Sequence, residues 1–315
     1  MTNTGDIAVL GEAMIELRPA GPDLVELGVA GDTYNAAVMM SRMGLEVLFL
    51  TALGDDAYSA RIRAAMAVHG LKTSGIVTLA GRSPGLYAIT NNPEGERSFT
   101  YWRDTSAARV AFGNPEYLDL MIGKAGRAAH FYWSGITLAL MTSECRSRMF
   151  TALDEYRASG GRVFFDANYR SALWQGQQDV ASWYERAIAA ADYVLPSAED
   201  VTAIFGCTTT AAAMEKVIKT GRAIIAMTTT GSVLLHEQQT DEIPLPFTQQ
   251  VVDTTGAGDA FSGAFAAAII RGDSPLQAVE VGHLAASRVV QCRGAILPED
   301  AWLDLAPGTV SPTAT

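Results

Sequence analysis

Short apolar runs of strand length alternate with segments of helix length through most of this chain, and glycines mark many of the joins. Residues 6–10 read as a buried strand, 31–43 as a helix ended by Gly44, 46–51 as a second buried strand and 56–69 as a helix stopped by Gly70. The alternation resumes with a strand at 129–133, a helix at 143–158 and a strand at 162–166, the last two parted by Gly160-Gly161. Strands at 192–195 and 223–227 follow, then two helices divided near Gly272-Asp273-Ser274-Pro275. Parallel strands need crossover segments, and a sheet covered on both faces shows continuous apolar runs. The expected fold class is therefore α/β with a mainly parallel central sheet, within reach of a 315-residue chain as one domain.

Two regions break the pattern. Residues of about 12–29 and 84–108 carry short strand signals with turn residues, and Asn91-Asn92-Pro93-Glu94-Gly95 marks a hairpin. Neither holds enough apolar residues for its own core, so together they predict a small β-sheet lid on a single domain spanning 1–308, with 309–315 a disordered tail.

The densest chemistry lies at Asp253-Thr254-Thr255-Gly256-Ala257-Gly258-Asp259. Two close glycines let backbone approach a bulky anion, and the free N–H groups of the following alanine-rich helix would face it. A carboxylate at that junction repels phosphate unless it takes a proton from an attacking hydroxyl or helps organise a metal ion. The bland alternative is a tight turn. Phosphoryl transfer is the reading favoured here. Neither a P-loop motif nor a Gly-x-Gly-x-x-Gly after the first strand is present, which argues against P-loop and dinucleotide enzymes.

Three further clusters fit a polar ligand. Gly31 opens a helix whose first turn carries Asn35, with Asp32 as a candidate N-cap. In Phe99-Thr100-Tyr101-Trp102-Arg103 a strand would put Tyr101 and Arg103 on one face, where Tyr87 meets them across the hairpin. Asp166-Ala167-Asn168-Tyr169-Arg170 follows a strand, where open α/β sheets place their sites. The net charge of −11 speaks against nucleic acid, no stretch is long enough to span a membrane, and three distant cysteines suit a reducing cytoplasm. His69, His130, His236 and His283 show no metal-ligand spacing.

The 253–259 motif closely resembles the C-terminal signature of the ribokinase-like (phosphofructokinase-B) carbohydrate kinases, and Ala30-Gly31 with Asn35 resembles their N-terminal one. Within that family, residues 101–103 and 166–170 look most like 2-keto-3-deoxygluconate kinases. The resemblance implies a three-layer α/β/α fold with a β lid and ATP-dependent phosphorylation of a sugar hydroxyl. Asp259 would be the base, and Gly256, Ala257 and Gly258 the anion hole. Gly31, Asn35, Tyr87, Tyr101, Arg103 and Arg170 would hold a sugar acid. Asn168, Ser197, Thr228, Thr230 and Gly231, with Gly256 and Gly258, would serve the nucleotide. The implied cofactors are ATP and Mg²⁺, with a monovalent cation as an option; Asp200 would touch the metal only indirectly, and a homo-oligomer is expected. Kinases of 2-keto-3-deoxygalactonate or fructose, and a non-catalytic sugar or nucleotide sensor, are the alternatives. Three family motifs are altered: the paired glycines near the sugar, which are Ala30-Gly31 here, the motif at Ser197-Ala198-Glu199-Asp200 and the one at residues 227–232. A keto-deoxy acid also suits the charge argument, since a −11 protein must place arginines where it holds a carboxylate.

Overall fold

The computed structural model describes residues 6–21, 23–91, 97–126, 128–218, 223–228, 231–236, 239–246 and 251–298. In chain order the strands are β1 (Ile7–Leu10), β2 (Met14–Gly21), β3 (Leu24–Ala30), β4 (Val47–Leu50), β5 (Ala52–Leu53), β6 (Val77–Thr78), β7 (Leu86–Asn91) and β8 (Arg97–Trp102). They continue as β9 (His130–Ser134), β10 (Arg162–Asp166), β11 (Tyr193–Leu195), β12 (Ala223–Thr228), β13 (Gly231–His236) and β14 (Gln239–Pro244).

Eight of them form one sheet in the order β14-β13-β12-β11-β10-β9-β1-β4. Every pairing from β12 to β4 is parallel, while β13 and β14 add an antiparallel edge. The apolar runs are continuous because both faces are covered. Ala8, Leu10, Leu48, Leu50, Phe131, Trp133 and Phe165 enter one buried cluster; their neighbours Ile7, Val9, Val47, Phe49, Tyr132 and Phe164 enter the other. This period of two, apolar on both sides, is the physical basis of the three layers.

The lid is a four-stranded sheet, β3-β2-β7-β8. Its β7–β8 hairpin pairs Tyr87 with Tyr101, as expected, although turn residues 92–96 lie outside the described residues. Arg103 falls just past β8 rather than within it. The tail 309–315 also lies outside the described residues, as does Thr230. The helices at Asp32–Arg42, Ala57–Val68 and Ser143–Ala158 fall where the sequence puts them, with Asp56 and Thr142 capping the second and third. Strands β13 and β14 were not expected. The burial pattern of β14 is mostly exposed, so it carries no apolar run to betray it. Cys145, Cys207 and Cys292 form no disulfide. No helix among the described residues is long and apolar enough to cross a membrane.

Candidate active site

A cleft of about 730 Å³ opens between the lid and the carboxyl ends of the central strands. Its floor is the start of the helix Ala257–Arg271. Gly256 caps that helix with φ +76°, a left-handed conformation that favours glycine, and a Cβ there would sit 2.5 Å from the Ala295 Cβ. Gly258 differs, since a Cβ would meet nothing within 4 Å. One glycine is required by the turn; the other leaves open space above the helix end. Asp253, buried behind the turn, holds its shape by accepting from Thr255 N–H at 2.9 Å and Gly294 N–H at 2.8 Å. The Ala257 N–H is taken by Thr254 O at 3.3 Å and the Ala260 N–H by Gly256 O at 2.8 Å. Gly258 and Asp259 thus keep the first-turn N–H groups that face the cleft.

Asp259 is held from the opposite half of the chain. The helices Asp32–Arg42 and Ala257–Arg271 approach closely because Gly263 has no side chain, and a Cβ there would lie 2.5 Å from Ala36 O. That contact lets Asn35 Nδ2 donate to Asp259 Oδ2 at 2.8 Å, leaving the buried Asn35 Oδ1 without a partner. Burial, then the neighbouring Asp32 carboxylate, push Asp259 up to about 7, against the Asn35 hydrogen bond and Arg170. A carboxyl poised near neutrality suits proton transfer.

Other acids surround it. Asp166, at the end of β10, accepts from Tyr132 Oη and Ser262 Oγ, each at 3.0 Å, and burial with the charges of Asp259 and Asp32 holds its carboxyl well above the usual range. Asp32 is not a helix cap: Gly31 is the N-cap, and Asp32 sits in the first turn accepting from Asn168 Nδ2 at 3.2 Å. Asn168 takes φ +29°, a conformation asparagine tolerates better than most residues, and its amide reaches the cleft. Asp200 completes a capping box with Ser197 and accepts from Tyr169 N–H at 3.0 Å, so it fixes the chain beside Arg170. No group of three or more metal-binding side chains is present among the described residues.

The lid supplies the opposite wall. Tyr87, Phe99 and Tyr101 form an aromatic face, with the Tyr87 and Tyr101 ring centroids 5.6 Å apart. Arg103 lines the cleft but is buried, and its Nη2 pairs with Glu12 Oε2 at 2.5 Å while Ser106 Oγ donates to the other Glu12 oxygen at 2.6 Å. Arg170 is exposed and uses Nη1 on Tyr169 O at 2.8 Å. The two expected arginines thus differ: Arg103 is buried and ion-paired with its Nε left unpartnered, while Arg170 is exposed.

The cleft therefore gathers Gly31, Asn35, Tyr87, Tyr101, Arg103, Asn168, Arg170, Ser197, Asp200, Gly256, Gly258 and Asp259. Thr228 and Gly231 form the last described pair of the β12–β13 hairpin, and Gly231 is not among the residues lining the cleft. Sequence reasoning missed Glu12 and gave Asp32 only a capping role. The acidic residue following Gly11 and the one following Gly31, each at the end of a strand, were the available signals.

A family model described as pfkB family carbohydrate kinase matches residues 4–302. A 2-dehydro-3-deoxygluconokinase from Dickeya dadantii is 39% identical over 311 residues, covering 95% of this chain and 98% of its own length. A fructokinase from Klebsiella pneumoniae is 31% identical over 259 residues, covering 82% of each chain. Among solved structures, a fructokinase from Vibrio cholerae with fructose, ADP and calcium ion bound superposes with a TM-score of 0.80 at 20% identity, covering 96% of this chain and 97% of that one.

Proposed function

Because the chain belongs to the pfkB family of carbohydrate kinases, we propose that it transfers the γ-phosphoryl group of ATP to the C6 hydroxyl of 2-keto-3-deoxy-D-gluconate. The observation that carries this is one cleft in which a carboxyl raised to about 7 and an open helix N-terminus face a tyrosine-lined lid and an exposed arginine. Asp259 takes the hydroxyl proton as the sugar oxygen bonds to phosphorus and the bond to the departing ADP oxygen breaks. The N–H groups of Gly258 and Asp259 receive the charge on the migrating group, where positioning and electrostatics contribute most of the rate. Mg²⁺, bound through the ATP phosphates, would neutralise their charge. The Asn35 amide orients the base.

The sugar-acid assignment rests on the 39% identical relative and on Arg170. Arg103 lines the same cleft with its Nε unpaired, and removing it would also strand the buried Glu12 carboxylate. For Arg170→Ala we expect KM for the keto-acid to rise about 10- to 100-fold, as for a lost charge-assisted hydrogen bond of about 1.5–3 kcal/mol, with KM for ATP little changed. The acceptor is tested by ADP release across 2-keto-3-deoxygluconate, 2-keto-3-deoxygalactonate and fructose. The first should turn over fastest; faster turnover of fructose would reject the sugar acid.

The lid also favours self-association. β3 is an edge strand, and Leu24 and Val25 on it are 66% and 61% exposed, as is Trp102 at 57% on the other edge strand, β8. A dimer is expected by light scattering, and a monomer at every concentration would reject it.

A further inference from the structure

The buried carboxylate of Glu16 has no part in the phosphoryl transfer described above. It lies in a row that crosses the lid sheet: Gly28 on β3 pairs with Glu16 on β2, Glu16 with Tyr87 on β7, and Tyr87 with Tyr101 on β8. Tyr87 Oη donates to Glu16 Oε2, and Arg18 Nε lies 3.0 Å from Glu16 Oε1. Gly28 makes room for this pair, since its Cβ would lie 3.1 Å from Glu16 Oε1.

A phenol has one proton to give. At Tyr87 that proton is committed to Glu16, and only oxygen lone pairs remain for a ligand. Burial and the Glu16 carboxylate both push the Tyr87 phenol upward, so the proton stays in place. Burial raises Glu16 too, while the Tyr87 bond and Arg18 oppose that rise. A substrate carboxylate would meet lone pairs there with an acid behind them, whereas a substrate hydroxyl finds an acceptor. We propose that Glu16 is a positioning residue that fixes Tyr87 as a hydrogen-bond acceptor, so that this wall selects a sugar hydroxyl and directs the acceptor's carboxylate toward Arg170. The inference rests on the sugar-kinase reading of the same cleft.

Arg18 extends the row into the main body. Its Nη1 lies over Gly294, where a Cβ would be 2.3 Å away, and the Gly294 N–H donates to Asp253 behind the anion turn. The row that holds Tyr87 thus ends beside the turn that forms the phosphate floor.

The test uses Glu16→Gln, Tyr87→Phe and the double variant, with the sugar acid and its mono-deoxy analogues, read by turnover and by calorimetric binding. Glutamine can turn its amide to donate to Tyr87, freeing the phenol proton. Each single variant should raise KM about tenfold with kcat within about twofold, the size of one lost hydroxyl contact. The double variant should be no worse than Tyr87→Phe. One deoxy analogue, penalised by the unaltered enzyme, should lose that penalty in both single variants. Additive effects, or an unchanged KM in Glu16→Gln, would overturn the proposal. Should Glu16→Gln melt early, Tyr87→Phe decides alone: equal discrimination among the deoxy sugars by that variant and the unaltered enzyme rejects the acceptor role. Weak binding of every sugar acid by the unaltered protein would instead point to a wrong acceptor, and the same series is then run with the sugar that does bind.

Discussion

Asp259→Asn is expected to bind sugar and nucleotide with near-normal affinity and to turn over about 10²- to 10⁴-fold more slowly, the usual contribution of a positioned general base. Asparagine is isosteric and its Oδ1 still accepts from Asn35, so the cleft should keep its shape. Activity retained within tenfold would remove Asp259 from the proton transfer. The pH dependence gives a second readout. The base must be ionised, and its carboxyl is raised to about 7 by burial and Asp32. Therefore kcat/KM should climb with pH through about 7 and level off above it. Stability runs in the opposite direction. Between the unfolded value near 3.8 and the folded value near 7 the native state binds the extra proton, so this group's contribution to stability is fully present at low pH and is lost as pH rises through 7. Asp259→Asn should accordingly melt higher than the parent at pH 8 and not at pH 4, a rise in stability joined to a loss of rate.

Gly256→Ala is expected to damage both folding and turnover, and Gly258→Ala turnover alone. At Gly256 an alanine must adopt φ +76° and place its Cβ 2.5 Å from the Ala295 Cβ, with the Ala295 Cα only 2.6 Å away. Backbone must shift, at a cost of roughly 1–3 kcal/mol, and the N–H groups that face the migrating phosphoryl group shift with it. Loss of one such donor commonly lowers kcat by about 10²- to 10³-fold. At Gly258 the added methyl meets no protein atom within 4 Å and projects into open space. Its melting temperature should match the parent while ATP turnover falls. Thermal melts and steady-state kinetics on the two variants separate these outcomes; equal melting of both would contradict the distinct roles assigned to the two glycines.

Much of the architecture was legible because it depends on local pattern. The helix Ser143–Ala158 and strand Arg162–Asp166 fall on their expected bounds, each set by apolar spacing and a flanking cap or glycine pair. What was illegible depends on partners distant in sequence. Arg103 reads as a free cation until Glu12, 91 residues away, is placed against it. Asp32 reads as a cap until the positive φ of Asn168 turns its amide toward that carboxylate. The parallel pairing of β2 with β7 is likewise invisible, because nothing in either strand names its neighbour.

The hydrogen bond from Asn35 to Asp259 joins residues 224 positions apart. A ribosome that has made the lid, Asn35 and most of the parallel sheet has therefore made neither the base nor the helix start that floors the cleft. Both the anion turn and the helix that seats Asp259 against Asn35 arrive late in synthesis, and helix docking of this long range forms slowly relative to local structure. Phosphoryl transfer should thus appear only after that final docking, so that the growing chain cannot consume ATP and the first turnover reports completed folding.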